Sequence, residues 1–188
     1  MSSKDKKIQA HLVGTKVIIW DINDSRKIFL SGFYGKPLGI RKPKKPNEIN
    51  SPLILSLIEA LYLLEKGVLE IYDVEGKVSF EKLLNVCLKN VPKCIMLYNV
   101  YREFREKGYV VRSGLKFGAD YAIYEKGPGI DHAPYLVHVL SVNEKTSPIE
   151  LVRAGRLSHS VRKKFIVAAT KSELGSKVTK IMFKWYKP

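Results

Sequence analysis

Acidic residues are scarce in this chain beside basic ones. Its 188 residues hold 18 Asp and Glu against 33 Lys and Arg, a formal charge of +15 at neutral pH. That deficit argues against a metal-dependent nuclease, which needs clustered carboxylates, because Asp120, Glu125 and Asp131 fit no ligand pattern. It favours a polyanionic partner, nucleic acid first, over a merely solubilising basic surface. Cysteine is nearly absent. Cys87 and Cys94 lie seven apart with no second pair, which indicates neither a zinc site nor a disulfide framework. They read as small buried thiols on neighbouring helical turns. No apolar run approaches a membrane span, and the opening Met1-Ser2-Ser3-Lys4-Asp5-Lys6-Lys7 leads into no signal core. The expectation is a soluble, cytoplasmic protein without a membrane partner. Repeats are absent too, which excludes a solenoid.

What is present is a folded chain, 45% hydrophobic with modest glycine and proline. Residues 8–35 alternate short apolar runs, Val17-Ile18-Ile19-Trp20 and Lys27-Ile28-Phe29-Leu30, with turn residues, a pattern of small antiparallel strands. The proline-rich basic stretch around Lys42, Lys44 and Lys45 reads as an exposed loop. Ser51-Pro52 then predicts a helix start, with Leu53, Leu57, Leu61 and Leu64 as its apolar stripe and Gly67 as its stop. A strand over 68–74, a turn at Glu75-Gly76 and a helix capped by Ser79 follow. Asn90-Val91-Pro92 breaks that helix and marks the expected boundary between domains 1–91 and 92–188. Beyond it come a helix over 93–107 and strands at 109–112, 116–124, 135–142, 164–169 and 178–186. Ser147, Pro148 and Glu150 predict a helix over 148–163. The fold class is α/β in the α+β sense: a small N-terminal α/β domain, then a mixed central sheet flanked by helices.

Charge and chemistry gather in the second half. From Leu151 to Pro188 ten Lys or Arg face one acid, Glu173. Tyr124 ends the run Gly114-Leu115-Lys116-Phe117-Gly118-Ala119-Asp120-Tyr121-Ala122-Ile123-Tyr124. On a strand through 116–124, Tyr124 shares a face with Gly118, Asp120 and Ala122, whereas Tyr121 belongs to the other face and reads as the core aromatic. His132 opens His132-Ala133-Pro134-Tyr135-Leu136-Val137, at the mouth of a near-continuous apolar run that reads as a buried central strand. His138, inside that run, reads as a sheet histidine. Lys163 closes Gly155-Arg156-Leu157-Ser158-His159-Ser160-Val161-Arg162-Lys163, where Arg156, His159 and Lys163 are spaced to stack on one helical face.

A phenol, an imidazole and an ammonium on a strongly basic chain are the groups needed to cut RNA through its own 2′-hydroxyl. One takes a proton, one gives a proton, and one stabilises charge on the phosphorane. These three segments resemble the catalytic domain of the archaeal and eukaryotic tRNA-splicing endonucleases, which use a Tyr–His–Lys triad. The resemblance implies Tyr124 as general base, His132 as general acid and Lys163 as electrostatic stabiliser, with no metal and no cofactor. It implies precursor tRNA as the substrate, cut at bulges flanking a short helix. An arginine and a tryptophan that clamp a bulged base in the family correspond by position to Arg156 and Trp185, and the loop at Lys42, Lys44 and Lys45 is available for RNA phosphates.

Homotetrameric members of that family carry an acidic loop between their last two strands. The equivalent stretch here, Thr170 to Lys177, has one acid and two lysines. This departure implies a second, non-catalytic homologous subunit, two copies of each. The alternatives are a non-catalytic RNA-binding or structural subunit of the same complex, or a basic RNA-binding protein without enzyme activity.

Overall fold

A computed structural model describes residues 7–40, 48–149, 151–152, 155–156 and 162–183. The chain has an α+β fold and divides into two compact units, Met1–Cys94 and Ile95–Pro188. Among the described residues no helix is long and apolar enough to cross a membrane. The loop at Lys42, Lys44 and Lys45 lies outside the described residues, as do Glu150, His159 and Trp185.

The first unit is built on a six-stranded mixed sheet. Its strands are β1 (Ile8–Val13), β2 (Lys16–Ile19), β3 (Lys36–Pro37), β4 (Leu53–Ser56), β5 (Leu69–Asp73) and β6 (Gly76–Val78), ordered β3-β4-β2-β1-β5-β6. The pair β1 and β5 is parallel and the other neighbours are antiparallel. Alternation on β2 and β4 sends Val17, Ile19, Leu53 and Leu55 into the core.

Two expectations fail here, each for a local reason. Lys27-Ile28-Phe29-Leu30 is not a strand but part of α1 (Ile22–Gly32). The Asp21 carboxylate accepts a hydrogen bond from the Asp24 amide at 2.8 Å, and the buried residues Ser25, Ile28 and Phe29 recur at helical spacing. Likewise the helix does not start at Ser51-Pro52. Leu53–Ser56 is a strand, and α2 (Leu57–Glu65) begins only where Ser56 and Glu59 close a reciprocal capping box. The second carboxylate oxygen of Glu59 accepts from the Gly35 amide at 2.9 Å, so one acid serves both the helix start and the strand beside it.

The helix capped by Ser79 is present as α3 (Phe80–Asn90), and α4 (Cys94–Glu106) follows. Between them the cysteine expectation is overturned: Cys87 and Cys94 are joined as a disulfide. On one continuous helix residues seven apart would lie about 10.5 Å apart. Here Val91 is extended and Lys93 takes a φ of +59°, so the chain reverses and the two Cα atoms stand 6.0 Å apart, inside the disulfide range.

The second unit holds a five-stranded sheet of β7 (Val110–Ser113), β8 (Tyr121–Tyr124), β9 (Tyr135–Ser141), β10 (Lys164–Thr170) and β11 (Thr179–Phe183), ordered β11-β10-β9-β8-β7. As the apolar run predicts, β9 is central, and Leu136, Val137, Val139 and Leu140 are all buried. It pairs parallel with β10, and the remaining pairs are antiparallel. The stretch 116–124 is a strand only at its end. Leu115–Phe117 forms a 3-10 turn that Gly118 closes with a φ of +63°. A Cβ on Gly114 would meet backbone atoms of Tyr121 and Ala119 at 2.7–2.8 Å, which is why glycine stands where the turn meets the strand.

Pro148, Ile149, Leu151, Val152, Gly155 and Arg156 are helical, with the Leu151 amide donating to the Ser147 carbonyl at 3.3 Å. Lys163 is not on that helix. Arg162 takes a φ of +53°, and Lys163 is the residue immediately before β10. The expected stack of Arg156, His159 and Lys163 on one helical face is therefore corrected for Lys163.

The disulfide closes a loop of about eight residues, for which chain entropy gives a stabilisation of about 2.5 kcal/mol. Denaturant unfolding should shift by about that amount on adding reductant. A Cys87→Ala, Cys94→Ala variant should not respond to reductant, and thiol labelling of the unfolded, unreduced protein should find neither cysteine free.

Candidate active site

The topology of the second sheet brings three strand ends to one edge. Antiparallel pairing of β8 with β9 sets Ile123 against Tyr135, so the C-terminal end of β8, carrying Tyr124, meets the N-terminal end of β9, which His132 and Ala133 precede. Parallel pairing of β9 with β10 sets Tyr135 against Lys164, and the Lys164 amide donates to the Pro134 carbonyl at 2.8 Å. The residue before β10, Lys163, is thereby placed beside the residues before β9.

The Lys163 ammonium donates to the Ala133 carbonyl at 2.5 Å and stands 5.2 Å from the centre of the Phe117 ring. Ala133 in turn packs with Ala119, Ala122 and Leu136 in a small apolar cluster, and the half-buried rings of Phe117 and Tyr124 lie against it. Ala122 on the Tyr124 face agrees with the alternation of the strand. Ala119 joins the same cluster because the backbone before Tyr121 is a turn. Tyr121 itself is the core aromatic: it is buried, donates to the Leu97 carbonyl at 3.0 Å and packs on Tyr101. His132 is exposed at the strand mouth.

The link between Tyr124 and His132 is organised by a residue that periodicity does not single out. Asp131 accepts from the amides of Glu125 at 3.1 Å, Lys126 at 3.0 Å and Gly127 at 2.8 Å, folding the loop back onto the end of β8. Burial works against ionising this carboxyl, yet those amide bonds hold its pKa below the usual carboxylate value. Asp120 is also engaged, accepting from the Val139 amide at 2.7 Å and lying 3.1 Å from the His138 ring. His138 is thus a sheet histidine paired with a carboxylate, and 43% of its side chain is exposed.

Electrostatics of the pair Tyr124 and Lys163 differ from the usual ones. Burial raises the Tyr124 phenol above 10, the Arg112 guanidinium pulls it back, and the Asp131 carboxylate pushes it further up. Arg112 on β7 pairs with Ala122 and Val110 pairs with Tyr124, so Arg112 lies diagonal to Tyr124 on the same face. The cation that pulls this phenol back is Arg112, whose place follows from strand pairing. Burial also lowers the Lys163 pKa, and the nearby Lys116 charge lowers it further.

Arg156 is exposed on its helix. The stretch from Thr170 to Lys177 is tied down by Asn99 of α4, whose amide donates to the Glu173 carbonyl at 2.8 Å and accepts from the Gly175 amide at 3.0 Å.

With that geometry in hand, two families match the chain. The tRNA intron endonuclease N-terminal domain matches residues 8–84, and the tRNA intron endonuclease catalytic C-terminal domain matches residues 94–179. The chain is 52% identical to the tRNA-splicing endonuclease of Hyperthermus butylicus over 182 residues, covering 96% of this chain and 99% of that protein. It is 51% identical to the tRNA-splicing endonuclease of Sulfurisphaera tokodaii over 176 residues, 94% of this chain and 97% of the relative. The enzyme of the same name from Saccharolobus islandicus is 48% identical over 181 residues, 96% and 99%.

The electrostatic assignment has a direct test in the titration of Tyr124, assigned by its loss in Tyr124→Phe and followed by the NMR signal of its labelled ring carbon. A guanidinium favours phenolate, so Arg112→Gln should raise the Tyr124 pKa. A carboxylate disfavours it, so Asp131→Asn should lower it. An unmoved titration in both variants would mean that burial alone sets the phenol. Two domain matches in chain order, together with relatives about half identical along nearly their whole length, establish that this chain belongs to the tRNA intron endonuclease family.

Proposed function

We propose that this chain is the catalytic subunit of a tRNA-splicing endonuclease, with domain 1–91 supporting a nuclease domain 92–188. It cuts precursor tRNA at the bulge-helix-bulge that marks the intron boundaries. Tyr124, as phenolate, takes the proton of the 2′-hydroxyl; the 2′-oxygen attacks the adjacent phosphorus; His132 protonates the departing 5′-oxygen. Lys163 stabilises the charge on the phosphorane. The P–O5′ bond breaks as the P–O2′ bond forms, leaving a 2′,3′-cyclic phosphate and a 5′-hydroxyl. The substrate supplies the nucleophile, so the step consumes no water and asks for no metal ion.

The observation that carries this reading is the convergence of the C-terminal end of β8 with the N-terminal ends of β9 and β10, where the Lys163 ammonium rests on the carbonyl next to His132. A carbonyl and a phenyl face hold that ammonium without neutralising it, which leaves its charge for an anion. The raised phenol of Tyr124 means that phenolate is a minor species at neutral pH in the free protein. Arg156 and Trp185 take a bulged base by stacking, and Lys42, Lys44 and Lys45 meet RNA phosphates. RNA is recognised more by shape than by base edges, as suits a basic surface on A-form helices.

Assembly follows from charge. Docking a loop with one acid, Glu173, onto a second copy at +15 brings like charges together. A non-catalytic homologue with an acidic loop reverses that sign, giving two copies of each subunit.

Single-turnover cleavage should fall at least about 100-fold in His132→Ala and in Tyr124→Phe, with precursor-tRNA affinity nearly unchanged. RNA carrying hydrogen in place of the 2′-hydroxyl at the cut site should not be cleaved, whereas unmodified RNA should be cut in excess chelator once its folding is secured. Wild-type rates in either variant would remove the assignment. For assembly, light scattering on the purified chain decides: a fully active homotetramer would overturn the two-subunit proposal.

A further inference from the structure

Phe117 carries two cations. The Lys116 ammonium lies 4.5 Å from the ring centre and the Lys163 ammonium 5.2 Å, both within cation–π range. The ring itself is fixed, because it packs on the same cluster of Ala119, Ala122, Ala133 and Leu136 that carries Tyr124. The turn that presents Lys116 is pinned as well. The Phe117 amide donates to the Gly114 carbonyl at 2.7 Å, the Gly118 amide to Leu115 at 3.0 Å, and the Gly114 amide to Asp120 at 3.0 Å.

We propose that Lys116 is a further RNA-binding residue of this site, holding the phosphodiester next to the scissile one, with Phe117 as the positioning residue shared by Lys116 and Lys163. This rests on the reading of Lys163 as the group that meets the scissile phosphate. Two ammonium groups held on one ring repel each other, and among the described residues no carboxylate pairs with either. Burial lowers the Lys163 pKa, and the Lys116 charge acts in the same direction. A dianionic stretch of backbone, one charge per ammonium, removes the repulsion. Lys116 is exposed, so it reaches RNA without rearrangement, while half-buried Lys163 serves the reacting group. A pinned turn gives the second contact at little ordering cost, so it acts on register: it sets which phosphate lies over Lys163.

The test uses the active assembly and a set of precursor RNAs, each with one neutral methylphosphonate at a phosphate flanking the cut. Lys116→Gln should weaken binding and make the slope of log affinity on log salt shallower by about 0.7, the value of one phosphate contact on a single strand. One methylphosphonate next to the cut should weaken wild type as much as Lys116→Gln does and should cost the variant nothing more. Phe117→Leu should lower the cleavage rate at saturating enzyme, and Phe117→Trp should restore it by offering another π face. Equal losses in wild type and Lys116→Gln at every methylphosphonate, or an unchanged salt slope, would overturn the proposal. Tyr124→Phe in the same assay separates the two readings. If it is inactive while Lys116→Gln matches wild type, only the role of Lys116 falls; if it cuts normally, the catalytic reading falls and this inference with it.

Discussion

Everything at the candidate site depends on the register between β9 and β10. A parallel pair aligns the starts of its two strands, and here Tyr135 lies against Lys164. That alignment alone places Lys163 next to Ala133, although they are thirty residues apart, and lets the ammonium find the Ala133 carbonyl. The antiparallel pairing of β8 then delivers Tyr124 to the same edge from the other side of β9. A slip of one residue between β9 and β10 would send each side chain of the slipped strand to the opposite face, so that apolar neighbours of other size would replace Phe165 and Val167, which now pack with Leu140. The apolar core therefore enforces the geometry of the polar edge.

The edge is unusual in how its charges are held. Lys163 loses water to burial and receives in return a carbonyl oxygen and an aromatic face, neither of which carries a formal charge. Contrast Lys180 and Glu103, or Lys82 with Asp73 and Glu75, where ammonium groups are paired with carboxylates. In those pairs the cation is already satisfied. Among the described residues, the carboxylate that influences the phenol is Asp131, whose oxygens accept from the amides of Glu125, Lys126 and Gly127. The same fold thus uses acids to close loops and keeps them off the lysine.

Sequence reading recovers what local chemistry decides. Ser79 and Ser147 mark helix starts because a hydroxyl at an N-cap is a local signal, and the apolar run at β9 marks a central strand because both its faces are covered. It fails where a short signal competes with a longer one. Ser51-Pro52 resembles a helix start, but Ser56 and Glu59 make the reciprocal cap, and Leu53 and Leu55 alternate into the sheet. Asp21 and Asp24 hide the start of α1 behind residues that also suit a turn. The Cys87–Cys94 bridge needs the reversal at Pro92 and Lys93, which spacing in sequence does not reveal. Arg112 and Lys116 are legible only after pairing and turn geometry are known, since neither stands out from the other basic residues of the chain.

Lys163 is brought to the candidate site by a different element from the helix its spacing suggested. Helical spacing with Arg156 and His159 suggested a continuous basic face, yet Lys163 directly precedes β10 and Arg162 adopts a left-handed conformation. A non-glycine residue held there is costly in isolation and persists only where its surroundings over-determine it. The surroundings here are the Lys164 amide bonded to Pro134 on one side and the Lys163 ammonium bonded to Ala133 on the other. Were Arg162 and Lys163 helical, Lys164 could not enter the sheet in register and the ammonium would leave the carbonyl. The strain at Arg162 and the position of Lys163 are consequences of one fact, that β10 must begin level with β9.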